Sequence, residues 1–198
     1  MELKVNGNPV DITLEGETTV GDVLKAFEEE ASRNNATTVN ILLNGEDISA
    51  DKFESALSVP LKADTVLELT VVSQKDITEN FLLTAKKFEE LSKTLLEVPV
   101  MLQAGRDADA GSIIADLAGQ IDLFCHTATL SALFPETYSS ISVDGKDIGS
   151  VFEELAPILA DLEGALKDKD TVTVGDLSEY EIAPRLEKLA LAVREGLK

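Results

Sequence analysis

"TVLELTVVSQKDITENF", residues 65–81, is where the chain changes its period. Val66 through Val72 make a near-continuous apolar run, which predicts a central β-strand buried on both faces. Beyond Ser73 the pattern becomes helical. Phe81, Phe88, Leu95 and Leu102 recur every seven residues with Leu91 and Val98 between them, and Asp76 or Thr78 is the expected N-cap. The switch divides the chain into a first domain of residues 1–74 and a second of residues 75–198.

Upstream of the switch, strand periods alternate with one helical segment. "ELKV" is followed by the turn signal "NGNP" and then "VDITL", which predicts a hairpin with Val10, Ile12 and Leu14 on one face. Thr19 is the expected cap of a helix carrying Val20, Val23, Leu24 and Phe27, ended by "SRNN". "TVNILLNGED" predicts a strand with Val39, Ile41 and Leu43 facing one way, closed by an Asn44-Gly45 turn. "SADKFESAL" supplies a short turn of helix before the strand at Val66.

Downstream, "AGRDADAG" interrupts the first helix. A second carries Ile114, Leu117, Ile121, Phe124 and Ala128 on one face. "FPETYSSISVDGKDIG" is a long connection with several turn signals. Ser150 is the expected cap of a third helix with Val151, Leu155, Ile158, Leu162 and Ala165. "DKDTVTVGD" leads to a fourth with Leu177, Tyr180, Leu186, Leu189, Val193 and Leu197. Four amphipathic helices joined by mostly short links predict an antiparallel four-helix bundle. Leu82, Leu83, Ile113, Phe152 and Leu191 exceed what one stripe needs, so they either widen the core or form a groove or a homodimer face.

The first 73 residues resemble ubiquitin and its bacterial relatives in element order, in the helix after the first hairpin, and in the "ILLNGEDIS" turn before the last strand. The resemblance implies a β-grasp domain, and with the helices it gives an α+β fold class: a ubiquitin-like β-grasp domain followed by the bundle. Carriers of that family end in a bare Gly-Gly tail, whereas here the last strand runs into "SQKDITENF". A conjugating role is therefore disfavoured, and a compact binding surface remains.

Near the C-terminus, "VTVGDLSEYEIAPRLEKL" (172–189) is dense in functional-looking residues. Asp176 and Glu179 have capping-box spacing, Glu181 and Arg185 form an i, i+4 pair, and Pro184 predicts a kink or an offset start. Tyr180 is left without a role. An alternative reading makes the acids from Asp168 to Glu181, Asp170 included, ligands for a hard cation in a metal-dependent enzyme or binding protein. The segment also resembles the end of a helical domain in uncharacterised bacterial proteins with the motif D-L-L-E-Y-E-x-x-P. Asp176, Leu177, Glu179, Tyr180, Glu181 and Pro184 match it, and Ser178 departs from it. Some of those proteins are associated with motility and surface-glycosylation genes, so the resemblance implies that context and brings no catalytic residues.

The formal net charge is −20. Residues 1–74 carry 14 acids and 5 bases, and residues 75–198 carry 23 acids and 12 bases, so the charge is spread along the chain. Such a field repels nucleic acid and anionic lipid and favours a basic protein partner, or mimicry of nucleic acid. No apolar run is long enough to span a bilayer and no secretion signal opens the chain, so a cytoplasmic location is expected. Cys125 is the single cysteine and His126 the single histidine. As sequence neighbours on a helix they point about 100° apart and cannot act as nucleophile and base on each other. Asp122 and His126 have chelating spacing but lack further ligands. No cofactor motif is present. The expectation is a non-enzymatic adaptor or assembly protein.

Overall fold

The computed structural model describes residues 1–198, which separate into two compact units, Met1–Asp76 and Ile77–Lys198. The first is a mixed five-stranded sheet of β1 (Glu2–Val5), β2 (Asn8–Val10), β3 (Ala36–Leu43), β4 (Glu46–Asp47) and β5 (Val66–Ser73). Their spatial order is β2-β1-β5-β3-β4, with β1 and β5 parallel and the other pairs antiparallel. Helix α1 (Val20–Arg33) packs Val20, Val23 and Leu24 onto Leu3, Leu67 and Leu69, and a short helix α2 covers Phe53–Leu57.

Local chemistry sets these boundaries. Thr19 Oγ1 accepts from the Asp22 N–H at 3.2 Å, and Asp22 Oδ2 accepts from the N–H groups of Thr19 and Thr18, each at 2.9 Å. This capping box starts α1. Both hairpin turns of the sheet use an Asn-Gly pair in the left-handed region: Asn6 and Gly7 at φ 50° and 78°, Asn44 and Gly45 at 53° and 84°. Two successive positive φ values match the strand twist, and Asn-Gly adopts them at least cost. The two asparagine side chains also extend the sheet. Asn6 accepts from the Val71 N–H at 2.8 Å and donates to its carbonyl at 3.0 Å, while Asn44 Oδ1 accepts from the Val66 N–H at 2.9 Å.

Three strand expectations are corrected. β5 is a central strand, but Leu67 and Leu69 are buried on one face while Thr70 is exposed, so the apolar run does not mean burial on both sides. β3 carries a bulge between Thr38 and Asn40, which breaks the alternation; Ile41 and Leu43 reach the core and Val39 stays exposed. The bulged strand's Thr38 N–H is satisfied by Glu28 of α1 at 2.8 Å. β2 ends at Val10, leaving Ile12 and Leu14 outside the strand.

The second unit is not the expected four-helix bundle. It holds α3 (Gln74–Leu95, whose first turn lies in the other unit), α4 (Val98–Gln103), α5 (Asp107–Ser131), α6 (Pro135–Tyr138), α7 (Ile148–Asp168), α8 (Thr171–Asp176) and α9 (Ala183–Gly196). The architecture as a whole is thus a five-stranded mixed sheet with two helices, then a region of seven α-helices with a π-helical segment and a small hairpin. It is not a ubiquitin-like β-grasp domain followed by a bundle. Pro99 lies in the first turn of α4 and cannot donate back into the preceding turn, so the heptad run breaks between Leu95 and Val98. The long connection folds into α6 and a hairpin of β6 (Ser142–Val143) and β7 (Lys146–Asp147), turned by Asp144 and Gly145 at φ 52° and 79°.

Two caps also differ from expectation. Ser73 Oγ accepts from the Asp76 N–H at 3.1 Å and donates to Asp76 Oδ2 at 2.6 Å, so the cap of α3 is Ser73, three residues before Asp76. Asp147, not Ser150, caps α7; its carboxylate accepts from the Ser150 N–H at 3.0 Å. The core centres on Phe124, whose ring lies 5.3, 5.2 and 5.4 Å from those of Phe81, Phe88 and Phe152. Phe152 therefore belongs to the core, while Leu82, Leu83 and Leu191 remain exposed. No helix is long and apolar enough to cross a membrane.

Candidate functional site

The stretch 172–189 is already helical before Asp176. Asp170 caps α8, accepting from the Thr173 N–H at 3.1 Å and from its hydroxyl at 2.7 Å, which holds the Asp170 carboxyl below its ordinary value. Asp176 has helical dihedrals and makes no side-chain cap, so the expected Asp176–Glu179 capping box does not form. Residues Leu177–Ile182 form a π-helical segment, in which the Ala183 N–H donates to the Ser178 carbonyl five residues back. Ser178 is fully buried, and its hydroxyl donates to the Val174 carbonyl at 2.7 Å. The widened turn rephases the helix. Val174, Ser178, Ile182 and Ala183 face the core, whereas Leu177 is half-buried and Tyr180 is 64% exposed.

The motif residues therefore separate. Asp176 and Tyr180 are exposed and Glu179 is half-buried. The Glu179 carboxylate accepts from the Tyr180 hydroxyl and, with Asp176, raises the phenol's pKa. Glu181 and Arg185 pair as expected: the guanidinium donates to Glu181 Oε2 at 2.6 Å and to its carbonyl at 2.7 Å. Pro184 and Arg185 line a cavity of about 230 Å³ with Asp144, Lys146, Glu154 and Lys188. Each cation there has an acidic partner. Lys188 meets Asp144 at 2.7 Å, Lys146 meets Glu154, and Arg185 meets Glu181. With those charges matched, the cavity is a tie between the β6–β7 hairpin, α7 and α9 more than an anion site.

No three His, Cys, Asp or Glu side chains are grouped so as to hold a metal ion. Asp168 to Glu181 contains no such group, which argues against the metal-dependent alternative. Asp122 and His126 are both exposed on α5. Cys125 is half-buried, its thiol pKa raised by burial and by Asp122.

A mainly apolar opening lies between α5 and α7. It is a groove of about 450 Å³ lined by Ile114, Ala118, Ile121 and Cys125 from one helix and by Leu159 and Leu166 from the other, with Asp122 and Glu163 at its rim. Leu166 is 41% exposed. Sequence periodicity placed Ile114 on a core face and left Leu159 and Leu166 without a role. The available signal was that apolar residues encircle α5, where a helix packed on one side needs a single stripe. A second signal is charge: α5 carries four acids and no lysine or arginine, and α7 carries five acids and one lysine, which pairs with Glu163.

Comparison with known proteins gives the chain's relationships. Residues 1–73 match the family described as the TP0873 N-terminal domain, and residues 81–192 match a domain of unknown function, DUF8042. Over 197 residues the chain is 28% identical to an uncharacterised protein of Treponema pallidum (strain Nichols), covering 96% of this chain and 94% of that one. No solved structure matches. With more than half its length in the second of these matches, its exposed motif and its acid-rimmed groove both inside that region, the chain belongs to the DUF8042 family.

Proposed function

We propose that the chain is a non-enzymatic protein-binding module, an adaptor or assembly factor whose partner presents a basic surface. The observation that carries this reading is the open apolar groove between two helices that hold nine acids and one base. Exposed apolar surface concentrated in a concave strip is the usual mark of a docking site. Charge of one sign around it selects partners and speeds encounter more than it adds affinity. Strand addition is less well supported, because the sheet's edge strands β2 and β4 are three and two residues long.

Affinity purification of the full chain from its native cell at low salt tests the reading. A partner recovered at stoichiometric yield and released by raising the salt is the expected result. A folded bait that retains nothing at low salt would overturn it.

A further inference from the structure

We infer that the α5–α7 groove takes a basic amphipathic α-helix of a partner protein; this rests on the protein-binding reading above and specifies its site and occupant. The groove's floor on α5 is read at Ile114, Ala118, Ile121 and Cys125, a spacing of four, three and four residues along one helix. That span is roughly 16 Å long at the helical rise, enough to seat a partner helix's anchors at i, i+3 or i+4 and i+7, which cover roughly 10 Å. Ala118 is exposed at the middle of the row, so nothing larger than a methyl group stands where a partner backbone would approach. Leu159 and Leu166 form the opposite wall. A helix laid there would cover Ala118 and the half-buried Ile114 and Cys125, which α5 otherwise leaves partly open to water.

Charge decides the chemistry of the occupant. Asp122 stands at one rim and Glu163 at the other, and Lys167, the one base on α7, is already paired with Glu163 at 2.5 Å. Lysine or arginine on both flanks of an apolar stripe complements this rim, whereas an acidic helix would meet like charge on either side.

Cys125, the chain's single thiol, lies in the groove and reports its occupancy. The experiment measures the rate at which a maleimide labels Cys125 in the full chain. The probe is a synthetic amidated peptide of about 18 residues, made of leucine and lysine with leucine at helical spacing. Its control has the same composition in an order that gives no apolar face. At ten times its Kd the helical peptide should slow labelling about tenfold, because only roughly one-tenth of the molecules remain free. Ala118→Arg, at an exposed position, should abolish the protection while leaving the circular dichroism unchanged, and Asp122→Asn with Glu163→Gln should weaken it.

Equal protection by the control peptide, or protection that Ala118→Arg leaves intact, would overturn the assignment in favour of attraction by charge alone. No protection from either peptide would also overturn it. If in that case the chain sediments as a dimer that Ala118→Arg dissociates, the occupant is a second copy. If a native partner is captured equally by wild-type and Ala118→Arg protein, the adaptor reading survives and the groove assignment falls.

Discussion

Single side chains set two measurable properties of the first unit. Gly21 sits in the first turn of α1, where an added Cβ would lie 2.8 Å from the Leu57 carbonyl oxygen and 3.1 Å from its Cβ. Both belong to Leu57, the last residue of α2, so one element must move. Gly21→Ala is expected to cost about 1–3 kcal/mol in urea denaturation. Gly119→Ala on α5, where nothing lies within 4 Å, should gain about 0.5–1 kcal/mol from helix propensity. Asp22 gives the second property. The N–H of Thr18, then the side chain and N–H of Thr19, hold its carboxyl at about 2. That lies below the unfolded value of about 3.9, so the ionised form favours the fold above about pH 4, and the contribution fades as pH falls toward 2. Asp22→Asn should therefore lower the thermal midpoint at pH 7, with the gap to wild type closing between about pH 4 and pH 2.

Among the elements, the helix from Thr171 to Gly196 is the most informative, because its π-helical segment is an α-helix with one residue too many. Deleting Tyr180, which faces solvent inside that segment, should let the turn close as α-helix and preserve a cooperative thermal transition. Deleting Glu187 from the regular helix α9 should abolish that transition, since Leu189, Ala190 and Val193 would rotate out of the core. The same segment shows where sequence reading stops. Pro184 signals an irregularity, and one was expected there. Its form depends on Ser178 satisfying the Val174 carbonyl inside the core, a contact no periodicity reveals. Thr19, Asn44-Gly45 and the buried faces of α5 and α7 were legible because capping and helical spacing act within a few residues. The break at Pro99 went unread because the apolar heptad continues through it, and the β6–β7 hairpin because two-residue strands carry no alternation. The groove was missed for a related reason: α5 carries apolar residues beyond the one face its period predicts, and only the packing shows which of them stay open.

For the molecule as a whole, charge is the governing quantity. Both units are net negative. Self-repulsion should make the chain less stable at low ionic strength, with its thermal midpoint rising between about 10 mM and 150 mM salt as the Debye length falls from about 30 Å to about 8 Å. Partner association should move the opposite way over the same range, so stability and binding can be told apart by salt alone. The asparagine side chains that extend the sheet at Asn6 and Asn44 have a further consequence, for chemical ageing. Asn-Gly pairs are where polypeptides lose side-chain amides fastest, by attack of the following backbone nitrogen on the asparagine carbonyl carbon. Here each amide is held against the backbone of β5, at Val71 and Val66. Peptide mapping of stored protein should find Asn6 and Asn44 intact while the first unit stays folded and rapidly converted once it opens, which makes these two turns a clock for how long each molecule has spent unfolded.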